Sequence, residues 1–304
     1  MSSLLEVPLA RRMHRLPVVR LVHGRAAQRA WSWDLRDQLT REWWPQGITW
    51  AGARLLVSWY SRHGAGSRVS VVDLVARRYA HVPLLTPEGE PLRVHAGGLA
   101  WDDGWLYVAA TARGFWTLHV EDLALSAGRA TSANEERRRD PATWPARTLH
   151  RPTLPGSDEP FRWSFLDLAP SRWSSSVKPQ PLTPVELRAE RASRPLLAGE
   201  YGRSGKSTRL ALLRMRDGLP VGDLQLLGSG PAGMQGVTTY ADGLVVSTSA
   251  GPWKRSRLRH LGPSATIHVG QAPVGVEDLT RDTFGRVWSV SEHPGRRAVL
   301  LLRG

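Results

Sequence analysis

One short phrase recurs along this chain: a polar residue or glycine, a brief strand of alternating apolar character, a tight turn and a second apolar strand. It appears as "PQGITWAGARLLVSW", "HAGGLAWDDGWLYVAA", "FRWSFLDLAP…PLLAGEY", "MQGVTTYADGLVVSTS" and "GVEDLTRDTFGRVWSVS". The turns read Ala51-Gly52, Asp102-Asp103-Gly104, Ala241-Asp242-Gly243 and Thr283-Phe284-Gly285. Alternation bounded by Asp and Gly is the signature of a β-hairpin. A hairpin that recurs along a chain marks a modular architecture, because a single hairpin cannot bury its own apolar face.

Gln46, Gly97, Ser164, Gln235 and Glu277 occupy equivalent positions, spaced from about 40 to about 70 residues apart. The shorter spacings suit a four-stranded propeller blade, and the longer ones a blade with an insertion. Third strands are expected at Arg68 to Leu74, Phe115 to Leu123, Thr208 to Met215 and Arg297 to Arg303. Fourth strands are expected in "RRYAHVPLL", "PVGDLQLLG" and "SATIHVG". The last module lacks a fourth strand of its own, and "RLPVVRLVH" (Arg15 to His23) is expected to supply it and close the ring.

The expectation is therefore an all-β, single-domain, five-bladed β-propeller over residues 1–304, closed by an N-terminal strand. Its blades run over 46–85, 95–155, 161–228, 233–270, and 275–303 plus 15–23. Loop insertions fall at 124–160 and 170–194, both rich in Pro, Ser and charge, with a helical turn around "TPVELRAERA". Trp50, Trp59, Trp101, Trp105 and Trp288 fall on strands, where large aromatics fill the wedges between blades.

Composition excludes several chemistries. With no cysteine, disulfides, thiolate metal sites and thiol nucleophiles are impossible. The net charge of +14 comes almost wholly from arginine, the lysines being Lys178, Lys206 and Lys254 alone. Arginine suits an anionic partner, but this skew is weak grounds for nucleic-acid binding, which is not the favoured reading. No apolar run is long enough to span a membrane. Arg11, Arg12, His14 and Arg15 stand where a secretory leader would place its apolar segment, so the chain as written is expected in the cytoplasm.

In a propeller the first strand of each blade lines the channel, so the starts of these strands converge. Gln46, His95, Gln235 and Glu277 are then expected around the channel mouth, where glycines permit close approach. Loops between second and third strands open onto the same face and add Arg62, His63, Arg113, Glu200, Arg203, Lys206, Lys254, Glu292, His293 and Arg296. Candidate ligand-binding residues are Gln46, His95, Arg113, Glu200, Gln235, Glu277 and His293. Candidate catalytic residues are His95, Glu277, Glu200 and Glu292. Channel-lining Gln and His also serve simply to satisfy buried polar groups, and Glu277-Asp278 could instead cap a turn or pair with Arg281 or Arg286.

Three functions follow. The first is binding of a polar or anionic small molecule or polymer on an Arg-rich face. The second is a hydrolase or lyase in which Glu277 and His95 move protons or hold a divalent metal. The third is a charge-driven surface for protein or nucleic acid. No cofactor is expected beyond that divalent metal. "GRSGKS" lacks the first glycine and the helix of a phosphate loop, and "SSVK" lies in a Pro-rich insertion without companion motifs. "EERRRD" reads as a solvated loop of opposite charges.

The phrases "WPQGITW…VSWY", "VHAGGLAW…LYVA", "GMQGV…STSAG" and "VGVEDLTRD…RVWSVSEHPGRRAV" together resemble a family of actinobacterial propeller-like proteins, many of them secreted. The resemblance covers about Trp31 to Arg303. It implies a propeller fold and an extracellular location, and brings no established activity. More distantly the pattern is similar to gluconolactonase-like and NHL-like propellers, whose metal-binding acidic set is not matched here.

Overall fold

The computed structural model describes residues 3–19, 23–126, 141–170, 194–203, 205–240, 243–262 and 266–303. Almost all of its regular structure is β. Among the described elements the non-β ones are a five-residue helix, α1 (Leu35–Leu39), and a 3-10 turn at Val120–Asp122. Asp34 caps α1 by accepting the Asp37 N–H at 3.0 Å.

The strands form five sheets, each built on a run of consecutive antiparallel strands; the first is extended further by Arg11–Arg12, Ala124–Leu125 and the parallel-paired Ala142–Pro145. Sheet I comprises Trp43–Ala51, Arg54–Ser61, Ser67–Asp73 and Arg78–Leu85. Sheet II comprises Leu99–Asp102, Trp105–Ala109, Phe115–His119 and Thr148–His150. Sheet III comprises Phe165–Leu168, Pro195–Gly199, Arg209–Arg216 and Leu219–Ser229. Sheet IV comprises Met234–Tyr240, Gly243–Thr248, Arg257–Leu261 and Thr266–Gln271. Sheet V comprises Val276–Arg281, Val287–Ser291 and Ala298–Leu302, extended by Ala27–Ser32 and then His14–Leu16.

The arrangement is propeller-like. The first strand of each sheet packs against the first strand of the next, and that of sheet V packs back on that of sheet I. The apolar residues are distributed in the same cyclic order. One buried cluster lies between each neighbouring pair of sheets, and the cluster of Trp31, Trp288, Ile48 and Trp59 joins sheet V to sheet I. Trp31 stacks on Trp288 with ring centroids 5.6 Å apart, and Trp50 meets Trp288 edge-on at 5.2 Å. Trp59 and Trp288 are buried, whereas Trp50, Trp101 and Trp105 are half-buried at sheet margins.

Three features depart from the sequence reading. The strand that completes sheet V is Ala27–Ser32 rather than Arg15 to His23: of that stretch Arg15 and Leu16 belong to the strand His14–Leu16 on the outer flank, and residues 20–22 lie outside the described residues. Ala27 and Ala30 are small enough to lie buried in that sheet, and Trp31 supplies the bulk that fills the wedge. The 124–160 stretch is only partly an excursion. Ala142–Pro145 pairs parallel with Arg78–Leu85 of sheet I, and Thr148–His150 is the fourth strand of sheet II. Trp144 anchors this return, fully buried, its indole N–H on the His119 carbonyl at 2.8 Å. Residues 127–140, the 171–193 segment with its expected helical turn, and the Ala241-Asp242 turn lie outside the described residues. The third strand of sheet IV, Arg257–Leu261, and helix α1 were not expected from sequence.

Close approach at the centre demands glycine. A Cβ on Gly98 would lie 2.1 Å from the Leu166 nitrogen, and one on Gly236 would lie 2.5 Å from the Leu279 nitrogen. Both obstacles are backbone of the neighbouring first strand, so no rotamer change relieves them. Gly98→Ala should therefore lower unfolding stability by about 3 kcal/mol or prevent folding. Gly156, in an exposed turn with open space around it, should tolerate the same change at a cost of about 1 kcal/mol. Denaturant midpoints of the two variants provide the comparison.

Candidate functional site

Three of the five first strands carry a register shift near their N-terminal ends: between Pro45 and Ile48, between Met234 and Gly236, and between Val276 and Leu279. A bulge re-aims the side chains that follow and leaves backbone groups outside the ladder. Hydroxyls satisfy them here. Ser58 accepts the Gly47 N–H (2.8 Å) and donates to the Ala96 carbonyl (2.6 Å). Ser247 donates to the Glu277 carbonyl and Ser289 to the Asp278 carbonyl, both at 2.7 Å.

The irregularities present Gln46, Gln235 and Glu277 to one another. Gln46 Nε2 donates to Glu292 Oε2 at 3.0 Å, and Gln235 Nε2 donates to Glu277 Oε1 at 3.2 Å. The two carboxyls share a hydrogen bond. The result is a continuous amide–carboxyl–carboxyl–amide chain running from sheet I through sheet V to sheet IV. Burial pushes the Glu277 carboxyl well above its ordinary range, and the adjacent Glu292 and Asp278 push it further. Glu292 is raised chiefly by burial, while Gln46 and Glu277 donate to it and hold it lower. Glu277 accordingly carries the proton and donates it to Glu292.

Around this pair stand aromatic and cationic groups. His95 is exposed yet stacks its ring on Tyr60, centroids 4.4 Å apart and 23° from parallel, and crowding by that wall favours the neutral imidazole. The Tyr60 phenol, raised by burial, hydrogen-bonds Arg62, whose guanidinium lies 4.0 Å above Trp44. His293 Nε2 is 3.7 Å from Glu292 Oε1, beyond hydrogen-bond length, and packs edge-on against Trp44. Burial, with Arg296, Arg297 and Arg62 nearby, keeps His293 neutral, so this contact is not an ion pair. Arg203 donates to the Ser249 carbonyl at 2.7 Å, and its charge favours an ionised Glu277. Arg297 is fully buried and donates from Nε to the Glu292 carbonyl (2.8 Å), fixing the Glu292 loop.

Two sequence candidates lie elsewhere. Glu200 is fully buried with both oxygens engaged: Arg209 Nε and Nη2 each donate at 2.8 Å, joined by the Arg162 N–H and the Ser207 hydroxyl. Burial opposes its ionisation, but these donors outweigh burial and its carboxyl is held below the usual range. Its geometry is that of a loop anchor. Arg113 lies beside sheet II, lining a separate groove. Lys206, Lys254, His63 and Arg296 are exposed.

Sequence reasoning missed the acids deeper in the channel. Asp278 Oδ2 accepts the Ile48 and Leu99 N–H groups at 3.1 Å each, tying first strands of sheets V, I and II, while its Oδ1 is buried without a partner. Asp167 of sheet III accepts from the Thr280 hydroxyl of sheet V at 3.1 Å. Burial pushes Asp278 well up and Asp167 to about 7. The available signal was an aspartate inside each apolar run, "FLDL" and "VEDL".

A hydrolase-like triad also occurs, between sheet I and α1. His81 Nε2 is 2.8 Å from Asp37 Oδ2 and its Nδ1 is 2.9 Å from Ser70 Oγ. Ser70 has no exposed surface and accepts the Trp59 indole N–H at 2.8 Å, so no substrate reaches it. Tyr79 and Arg68 donate to Asp37 as well, and Arg297 donates to its backbone carbonyl. Burial keeps His81 neutral, at about 4, while His81, Arg68 and Arg11 hold Asp37 far below its usual range against burial. The assembly is a buried structural network. Among the described residues no group of three or more His, Asp or Glu is placed to hold a metal ion. No helix among them is long and apolar enough to cross a membrane.

No family model and no curated protein matches the chain. Among solved structures it is similar to a GH43_1 enzyme from Xanthomonas citri, at 10% identity and TM-score 0.44 over 88% of each chain. It is also similar to the glutaminyl cyclase of Myxococcus xanthus, at 13% identity and TM-score 0.45 over 97% of each. A glucose dehydrogenase matches at 13% identity and TM-score 0.43, over 97% of this chain and 96% of that one.

The buried acids make stability pH-dependent. An Asp167 carboxyl at about 7, against 3.8 unperturbed, favours folding fully below pH 4 and loses that contribution as pH rises to 7, on the order of 4 kcal/mol. Glu277 and Asp278 act in the same direction at higher pH. Asp37 acts oppositely, its contribution vanishing as pH falls below 3.8, outside this window. His81, held at about 4 by burial against 6.5 unperturbed, works against this over the same window, because its contribution grows as pH rises from 4 to 6.5. The test is therefore the difference between variants: relative to the parent chain, Asp167→Asn should gain unfolding free energy from pH 4 to 7, by on the order of 4 kcal/mol. An unchanged slope in the variant would refute the assignment.

Proposed function

We propose that the chain is a five-bladed β-propeller, a member of the actinobacterial group whose repeat phrases it shares, that binds a polar ligand at its channel mouth. The observation that carries this reading is the Gln46–Glu292–Glu277–Gln235 chain of hydrogen bonds. It gathers donors and acceptors from three sheets at one point: Gln46, Gln235 and Glu277 stand at backbone bulges, and the loop that carries Glu292 is pinned by Arg297. The Gln46 and Glu277 protons are engaged within the chain, so a ligand there meets chiefly the remaining acceptor oxygens, with Arg62 and Arg203 beside them as donors and Tyr60, His95 and Trp44 as flat walls. Such a site suits a ligand that both donates and accepts hydrogen bonds. The carboxyl pair disfavours a bare anion there, so any acidic group of the ligand belongs toward Arg62 and Arg203.

A second reading is favoured by one observation, the buried Glu277 carboxyl set beside the half-buried one of Glu292; burial and this neighbour push the Glu277 carboxyl well above its ordinary range. A carboxyl kept protonated beside a carboxylate is suited to general-acid work in a hydrolase or lyase. Glu292 would then be its proton partner, and His95, stacked on Tyr60, would orient the substrate.

A panel of neutral polyols, amino acids and dicarboxylates, read by thermal shift and equilibrium dialysis, tests the binding role. Glu277→Gln and Gln46→Leu should each weaken a binding member of the panel at least tenfold while circular dichroism stays native. Unaltered affinity in both variants would remove the mouth as the site. Turnover of a bound compound that disappears in Glu277→Gln alone would establish the acid–base reading.

A further inference from the structure

We propose a second ligand site, independent of the mouth, in the groove between sheets I and II: a pocket for a phosphomonoester carrying a flat apolar body. The groove has a volume of about 390 Å³, within the range of small-molecule sites. Arg93, Arg113 and Arg151 line it, together with Trp116, Leu149 and Glu90.

The three guanidiniums come from separate segments, each fixed by backbone. Arg93 follows Leu92, whose N–H is held by the Leu84 carbonyl at 2.9 Å, and the bridge from Leu85 to Pro91 secures the same turn. Arg113 sits in a tight turn in which its N–H reaches the Ala110 carbonyl (3.1 Å) and the Ala110 N–H reaches the Gly114 carbonyl (2.8 Å). Thr111 and Gly114 adopt left-handed φ angles of 51° and 98° to make that turn. Arg151 directly follows the last strand of sheet II, Thr148–His150.

All three arginines are exposed, and none has an ion-pair or hydrogen-bond partner for its side chain among the described residues. Other arginines of this protein are paired to carboxylates, as Arg209 is to Glu200 and Arg68 to Asp37. Here three like charges share one groove with a single carboxylate, Glu90. The lining therefore carries an excess of two positive charges. A phosphomonoester brings about −1.5 to −2 at neutral pH and three acceptor oxygens, matching both the charge and the planar donor geometry of guanidinium. A carboxylate supplies only half that charge. Trp116 and Leu149, both half-buried, give the remaining wall an apolar face against which a flat ligand body packs.

The probes are phenyl phosphate, inorganic phosphate and benzoate, titrated calorimetrically into the full chain at 150 mM salt. Phenyl phosphate should saturate one site with a Kd below about 1 mM, at least tenfold tighter than inorganic phosphate or benzoate. Binding should weaken as pH falls through about 6, where the phosphate loses its second charge. The triple variant R93A/R113A/R151A, confined to exposed side chains, should keep a native melting temperature and lose at least tenfold in affinity. Trp116→Leu should bring phenyl phosphate down toward inorganic phosphate. Glu277→Gln should leave all three titrations unchanged, which separates this site from the mouth. The proposal is overturned if phenyl phosphate shows no saturable binding, if the folded triple variant binds it equally well, or if only a polyanion such as heparin binds.

Discussion

Backbone meets backbone at the centre of this protein, and everything else is arranged to permit it. Gly98 lies against the first strand of sheet III, and Gly236 against that of sheet V, at separations that exclude even a methyl group. Such proximity puts N–H groups of adjacent strands within reach of a single side chain. Asp278 exploits this by accepting from Ile48 and Leu99 at once. The same constriction produces the bulges that bring Gln46, Gln235 and Glu277 together. Central packing and candidate site are thus one geometric solution, and a bulkier residue at these contacts would disturb both.

Burial alone does not decide how an acid behaves here; its neighbours do. Glu200 and Asp37 are as inaccessible as Glu277, yet both stay ionised because arginines donate directly to them. Glu277 faces another carboxylate and an amide instead, and Asp278 and Asp167 face backbone N–H groups and hydroxyls, so these three favour the protonated form. The chain therefore holds neutral acids along its axis and charged pairs between and outside its sheets. An arginine-rich composition need not give a uniformly cationic site: most of the buried guanidinium is committed to structure, as the full burial of Arg297 shows.

Much of the architecture was legible because hairpin grammar is local. Alternation and Asp/Gly turns located the strand pairs of sheets I, II and V to within a residue or two. The pairing of Ala27–Ser32 with Ala298–Leu302 was not legible, since "AQRAWS" has little apolar alternation and its partner is a whole chain length away. Within the candidate site, the convergence of Gln46, Gln235 and Glu277 followed from repeat position. Glu200 read as equivalent to them because sequence shows its loop but not Arg209, which neutralises it from the next strand. Asp278 and Asp167 stood in plain view inside apolar runs, but their significance depends on which backbone lies opposite, and no periodicity reports that.

The composite make-up of sheet V constrains how the molecule is made. Its inner strands follow sheets I to IV in the chain while its outer strands precede them, so the outer β segments must wait, unpaired and partly apolar, until all four intervening sheets have been synthesised. Contacts between such remote segments carry the largest closure entropy in the fold and are expected to form late and slowly. Sheets I to IV can assemble progressively as they emerge, leaving this final clasp as the step at which an incomplete chain is most open to chaperones and proteases.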